Sequence, residues 1–258
     1  AEGEMCAWFQ PQLSTDTGAV SGFEALARWS HPQRGIILPG RFLPQLEERG
    51  LMDLLQEVIL GEALGAMRKW RAHGIDIPTV SVNFPPEALA DPTLSDRIAW
   101  ELDRTDVEPE RLCVEILETV VSFAQDDTTV QNIQRLSDLG CRVDLDDFGI
   151  GHASISSLRQ FAIHRLKIDR SFVHKIDRDP DQQNMVAAIL TMADQLNLDT
   201  LAEGVETAGE HALLAQLGCR HVQGYGISRP MPFEATLTWL RAHREKLQSP
   251  PKIHRSTV

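Results

Sequence analysis

From residue 78 onward, short apolar runs alternate with longer segments whose apolar positions recur every three or four residues. The short runs are TVSVN (79–83), LCVE (112–115), CRVDLD (141–146), RLKID (165–169), DTLAE (199–203) and RHVQ (220–223), each of strand length. Between them the spacing predicts amphipathic helices. In VQNIQRLSDLG, Val130, Ile133, Leu136 and Leu139 share a face, and Gly140 is placed to end the helix. Asp179-Pro180 supplies an N-cap and an N1 proline, with Met185, Ile189, Met192 and Leu196 as the expected buried face. Thr207-Ala-Gly-Glu210 has the capping-box pattern, and Gly218 closes that helix. Upstream, Leu55, Ile59, Ala63, Met67 and Trp70 mark a long helix ending near Gly74, and this stripe reads as core.

Strand–helix alternation implies a parallel sheet with right-handed crossovers, either open or closed into a barrel. The polar residues decide between the two. Asn83, Glu115, Asp146, Lys167, Glu203 and Gln223 stand at or beside the ends of successive strands, with separations from 20 (203 to 223) to 36 (167 to 203). Barrels assemble their sites from the C-terminal ends of several strands, whereas an open sheet gathers ligand groups at one switch point. The expected fold is therefore an α/β barrel of the (β/α)8 type, and the 258 residues suit one such domain over 1–258. Frayed tails are expected over 1–6 and about 249–258, after a last helix. The start on Ala rather than Met suggests a piece excised from a larger multidomain protein.

Composition narrows the function. The net charge of −12 disfavours a polyphosphate partner, so neither DNA nor RNA is expected, while a small phosphate ligand remains open if cations reverse the field locally. No apolar run reaches the ~20 residues of a membrane span, and the N-terminus lacks the regions of a secretory signal. The four cysteines are scattered without C-x-x-C spacing. A cytoplasmic setting with reduced thiols follows.

The stretch GFEALARW (22–29) places Glu24 inside an otherwise apolar strand, where an ionised carboxylate needs partners. Glu24, Asn83, Glu115 and Asp146-Asp147 together form a set of hard oxygen ligands with carboxylates in excess, which suits Mg²⁺, Mn²⁺ or Ca²⁺ over zinc. Adjacent Asp146 and Asp147 could bridge two ions, as in-line displacement at phosphorus requires. Lys167 and Glu203 could orient and deprotonate a water. Each member also has a bland reading: an outward-facing Glu, a turn or helix cap at Asp-Asp, a solvated Lys, a turn at Asn83. Their recurrence at one end of successive strands favours a metal-dependent phosphodiester hydrolase.

With these motifs assembled, the chain resembles the EAL-domain cyclic di-GMP phosphodiesterases, bacterial second-messenger enzymes with a modified TIM barrel containing one antiparallel strand. The resemblance runs from FQPQ (9–12) through GFEALARW, GIILPGRFLPQLEERGL (35–51), SVNFPP (81–86), CVEILE (113–118), DLDDFGIG (144–151), LKIDRSFV (166–173) and AEGVET (202–207) to GYGISRPMP (224–232). It implies Glu24, Asn83, Glu115 and Asp146 as ligands of a first divalent metal and Asp147 for a second. Lys167 and Glu203 would act on the attacking water, with Gln223 on the same catalytic face. Gln10, Arg28 and Glu206 would contact substrate. Glu118 would hold the loop of Phe148 and Gly149, which in the family couples the metal site to a dimer interface. The implied reaction opens cyclic di-GMP to linear pGpG with one or two Mg²⁺ or Mn²⁺ ions; a homodimer and an upstream GGDEF or sensory domain are the implied partners. Four departures from the family pattern are Ile150, His152, Leu117 and FAIHR (161–165); none removes a metal ligand. They keep open a catalytically silent domain that binds the dinucleotide as a sensor. A barrel hydrolase for another phosphodiester is the third reading.

Overall fold

The structure, a computed structural model, describes residues 3–123, 127–151, 158 and 161–248. His152 and the expected tail at 249–258 lie outside the described residues. Nine strands form one sheet: β1 (Met5–Ser14), β2 (Val20–His31), β3 (Gly35–Ile37), β4 (Val80–Asn83), β5 (Leu112–Leu117), β6 (Arg142–Phe148), β7 (Arg165–Ile168), β8 (Asp199–Ala202) and β9 (His221–Gln223). β1 pairs with both β2 and β9, which closes the eight strands other than β3 into a barrel. β1 runs antiparallel to both neighbours, and the other barrel pairs are parallel. β3 is a short hairpin annex on β2. The chain enters β1 at Met5, so the frayed end expected over 1–6 is shorter: Met5 and Cys6 pair with Trp29 and Arg28.

The helices are α1 (Pro39–Glu47), α2 (Met52–Ala72), α3 (Pro86–Leu89), α4 (Leu94–Thr105), α5 (Glu118–Phe123), α6 (Asp127–Leu139), α7 (Arg170–Val173), α8 (Pro180–Gln195), α9 (Ala208–Leu217) and α10 (Phe233–Gln248). Their ends follow local chemistry. The Asp179 carboxylate accepts from the backbone N–H of Asp181 and Gln182, and Thr207 and Glu210 complete a reciprocal capping box. Of the expected α8 face, Ile189, Met192 and Leu196 pack partly buried against the core. Val186, Leu190 and Ala193 are the helix's buried residues, while Met185 is 50% exposed. The fully buried stripe lies beside the expected one on the helix, which packs on β8.

The apolar core lies between the outer faces of the strands and the helices. Phe23 alternates with Glu24 along β2, so the ring faces out and the carboxylate faces in. Outside, Phe23 stacks on Trp70 of α2 at 4.9 Å, Phe9 meets the same indole edge-on at 5.2 Å, and Trp70 Nε1 donates to Thr236 Oγ1 at 2.8 Å. Inside, the barrel departs from the usual filling of branched aliphatics. Gln12, Ser81, Glu115, Asp144, Arg165 and Lys167 are all buried there.

Candidate active site

The site is the C-terminal mouth of the barrel, and strand register builds it. Gln10 stands opposite Glu24, and Asn83 beside Glu115, each on an inward-facing position. Along β6 the period of two directs Asp144 and Asp146 inward and would turn Asp147 away. A register shift between Leu145 and Phe148 breaks that period, and Asp147 takes φ +55°. Both carboxylates therefore reach the mouth and line the same cavities. A bulge that re-aims a side chain beside a site is a frequent device, and a non-glycine residue at positive φ marks strain held for function. Gly149, at φ +108°, follows; a Cβ there would stand 2.6 Å from the Phe172 ring. Glu118 holds this loop by accepting the backbone N–H of Gly149 at 3.0 Å and of Gly151 at 2.8 Å, and Phe148 is buried beneath it.

Lys167 is the centre of the ring. Fully buried, its Nζ lies 2.9 Å from Glu115, Asp146 and Glu203 and 3.9 Å from Glu24. One ammonium thus faces four carboxylates. Burial disfavours its charge, but those four neighbours outweigh burial and hold the lysine well above its ordinary value. The carboxyls respond unequally. Burial would raise Glu24, yet Lys167 and the hydrogen bonds donated by Gln223 and by Asn83, the latter at 3.0 Å, bring it below its usual value. Burial and then the charge of Glu24 push Glu115 well above its own. Glu203 is driven by burial to about 8, with Asp146 and Glu24 adding to the rise against the pull of Lys167. Asp147 is raised by burial, then by Asp146 and Asp169.

Such a surplus of hard oxygen donors fits a divalent cation, whose charge would relieve the same repulsion that raises Glu115, Asp147 and Glu203. Among the described residues, Asp146, Asp147 and Glu203 form the carboxylate trio whose oxygens lie within 4.8 Å of one another. Glu24 and Glu115 stand outside that trio but within reach of Lys167. Asn83 is held against Glu24. Two cavities of about 670 Å³ flank the ring, and both are lined by Glu24, Leu26, Asp146 and Asp147. The first continues over Gln10, Glu203, Glu206 and Gln223 to Arg170 and Tyr225, and the second runs under α1 and α2. Arg28 is buried beside Trp8, its Nη1 donating to Ala27 O, and lines neither cavity.

A polar chain beneath the ring escaped the reading of the sequence. Arg165 Nε donates to Asp144 Oδ2 at 2.8 Å and its Nη2 to Gln12 Oε1 at 3.1 Å. Gln12 Nε2 donates to Gln223 Oε1 at 2.9 Å, and Gln223 Nε2 donates to Glu24 Oε2 and, at 3.2 Å, to Gln10 Oε1. The chain orients the Gln223 amide so that its donors face the ring. Its signal was in the strand period: Asp144, Arg165 and Gln12 stand two residues from Asp146, Lys167 and Gln10.

With the geometry in place, the relatives are informative. The family model for the EAL domain matches residues 1–230. The chain is 37% identical over 229 residues to the bifunctional diguanylate cyclase/cyclic di-GMP phosphodiesterase MucR of Pseudomonas aeruginosa, covering 89% of this chain and 33% of MucR. It is 37% identical over 238 residues to the cyclic di-GMP phosphodiesterase PdeR of Escherichia coli K12, covering 92% of this chain and 36% of PdeR. It spans about a third of the length of these curated relatives. Among solved structures it is similar to the PaMucR phosphodiesterase in complex with c-di-GMP, with TM-score 0.84, 36% identity, and coverage of 90% of this chain and 94% of that one.

Proposed function

The chain belongs to the EAL domain family, and from that premise we propose that it hydrolyses one phosphodiester bond of cyclic di-GMP to linear pGpG, using Mg²⁺ or Mn²⁺. The observation that carries the reading is the carboxylate ring around Lys167 set between two cavities of equal volume. A cyclic dinucleotide has two bases either side of its phosphates, and this arrangement accommodates a phosphodiester at the ring with one base on each flank.

The residues that would hold the metal are Asp146 and Asp147 with Glu24, Asn83 and Glu115. A divalent cation there supplies positive charge to the phosphoryl oxygens and makes water more acidic. The protein's own groups do the rest. Glu203, beside Lys167 at 2.9 Å, accepts the proton of the attacking water; Lys167 fixes that carboxylate and adds positive charge near the phosphorus. The water oxygen joins phosphorus as the P–O3′ bond breaks, and the departing 3′-oxygen takes a proton from solvent, leaving a 5′-phosphate and a 3′-hydroxyl. Gln223 holds Glu24 by donating to it, and Gln10 and Glu206, which line the first cavity, would contact the substrate there. Arg28 reaches substrate only by leaving its packing on Trp8.

A silent sensor is the second reading, and the observation that favours it is Ile150. It is 60% exposed in the loop tied to Glu118, the segment in which a family hydroxyl is replaced. In either case we place the domain in the cytoplasm, supported by four unpaired cysteines and by the absence, among the described residues, of a helix able to cross a membrane. Within a longer protein it would act as output for an upstream GGDEF or sensory domain, and as a homodimer through the Phe148–Gly149 loop.

Chromatography of cyclic di-GMP incubated with Mg²⁺, with Mn²⁺ and with chelator tests the assignment. Metal-dependent pGpG is expected. Tight binding without product under all three conditions would move the protein to the sensor class.

A further inference from the structure

Beneath the ring, five buried side chains form a row of hydrogen bonds that runs in one direction. Arg165 donates to Asp144 Oδ2 and, from Nη2, to Gln12 Oε1 at 3.1 Å. Gln12 Nε2 donates to Gln223 Oε1 at 2.9 Å, and Gln223 Nε2 donates to Glu24 Oε2. Strand register sets the two glutamines opposite each other where β1 meets β9, and Arg165 reaches them from β7. Gln12 is fully buried and lines neither cavity.

The two ends of the row fix its middle. A guanidinium only donates and a carboxylate only accepts, whereas a carboxamide carries a donor at one end and an acceptor at the other. With Arg165 at one end and Glu24 at the other, one assignment of the two amides satisfies every link. Turning Gln12 over would set its Nε2 against Arg165 and its Oε1 against Gln223 Oε1. Turning Gln223 over would set its Oε1 against the Glu24 carboxylate. Gln10 supports the same sense from the mouth, because its Nε2 donates to Ser228 O at 3.0 Å and its Oε1 accepts from Gln223 Nε2 at 3.2 Å. Barrel interiors are ordinarily filled by branched aliphatics, which leave no polar group to satisfy. Amides in their place must be paired to be tolerated, and once paired they specify a single arrangement. The arrangement specified here ends on Glu24.

We propose that Gln12 is a positioning residue for the metal site: it relays the donor polarity of the Arg165–Asp144 pair to Gln223, so that Gln223 holds the Glu24 carboxylate in the orientation that ligates a divalent cation. The inference rests on the reading of Glu24 as a metal ligand, and it holds whether the domain cleaves cyclic di-GMP or only binds it. Gln12 touches neither substrate nor metal. Without its Nε2, Gln223 Oε1 is a buried acceptor with no donor, and the amide turns to find one. Each turn takes Nε2 from Glu24, and the cost falls on metal affinity.

The test compares wild type, Gln12→Met, Gln223→Met and the double variant. The Kd for Mn²⁺ is read from the paramagnetic resonance of the free ion, without nucleotide, beside Tm and the turnover of cyclic di-GMP. Gln12→Met is expected to raise the Mn²⁺ Kd roughly tenfold, the lower end for groups that orient a metal ligand. In the Gln223→Met background the same substitution should change Kd by no more than about twofold, because its effect passes through Gln223. At saturating Mn²⁺, KM for cyclic di-GMP should stay within about twofold of wild type. A Kd for Gln12→Met within about twofold of wild type, whatever its Tm, marks a structural role and would overturn the proposal. So would an equal rise in Kd in both backgrounds. If Gln12→Met does not fold, Asp144→Ala combined with Arg165→Met removes the source of polarity without stranding a charge, and its Kd decides by the same criterion. Wild type that binds Mn²⁺ but forms no pGpG fails the hydrolase assignment and leaves the Kd series to decide on Gln12. Wild type that binds no Mn²⁺ fails the reading of the metal site, and the proposal falls with it.

Discussion

Metal-free protein should lose stability as pH rises through neutrality, and Mg²⁺ should restore it. The reasoning starts from Lys167, one ammonium among four carboxylates. Glu203 is driven to about 8, by burial first and then by Asp146 and Glu24, and Glu115 also lies well above its usual range. A folded-state pKa above the unfolded value means the native state binds more protons. The associated stability is complete below the unfolded value near 4.5 and is lost as pH climbs through about 8. Each pKa unit corresponds to about 1.4 kcal/mol, so Glu203 alone accounts for several kcal/mol across that window. A divalent cation reverses the sign of the effect, because its ligands must be deprotonated and its affinity rises with pH. At 100-fold excess over Kd, Mg²⁺ stabilises by about 2.7 kcal/mol. That is roughly 5–11 °C for a chain of this size. Thermal unfolding with Mg²⁺ and with chelator, in steps from pH 6 to 9, checks this; buried cysteines and histidines titrate alike in both series and cancel in the difference. The Mg²⁺-induced rise in Tm should grow with pH. A rise that is constant over the range, or a chelated protein that gains stability between pH 7 and 8, would refute the electrostatic account of the ring.

Further outcomes follow from the same geometry. Glu24→Ala removes the carboxylate held by Asn83 and Gln223 and should abolish pGpG formation with an unchanged circular dichroism spectrum; turnover at the wild-type level would remove Glu24 from the metal site. Asp144→Ala and Arg165→Met each strand a buried charge and should destabilise by about 3–5 kcal/mol. The double variant should cost far less than the sum, and additive losses in denaturant titration would show that the two charges do not interact. Gly149→Ala meets both a positive φ and the Phe172 ring. At about 1–2 kcal/mol for the backbone alone, it should displace the Asp146-Asp147 loop and lower kcat, and a kcat equal to wild type would show that the loop tolerates the shift.

Much of the fold was legible in the residues because its determinants are local. Strand period, helix period and capping chemistry act within a few residues, which is why Asp179, Thr207 and Gly218 mark their helix ends correctly. The placing of Asn83, Glu115, Asp146, Lys167 and Glu203 at strand ends was visible too, since a parallel barrel presents all those ends on one rim. Other features depended on what packs against what. On α8 the expected stripe packs at Ile189, Met192 and Leu196 but not at Met185, because neighbouring stripes of an apolar helix differ only in what faces them. Asp144, Arg165 and Gln12 were overlooked because alternation says that a polar residue shares a face with its neighbour two positions away, but not whether that face is water or a barrel interior. Lys167 read as one more strand-end group; only closure through β1 surrounds it with carboxylates from different strands. Asp147 gained its place from a bulge. Local sequence thus set the elements and the chemistry available to them. The tertiary structure decided which charges are buried together, because burial and mutual distance are properties of the assembled barrel and of no single segment.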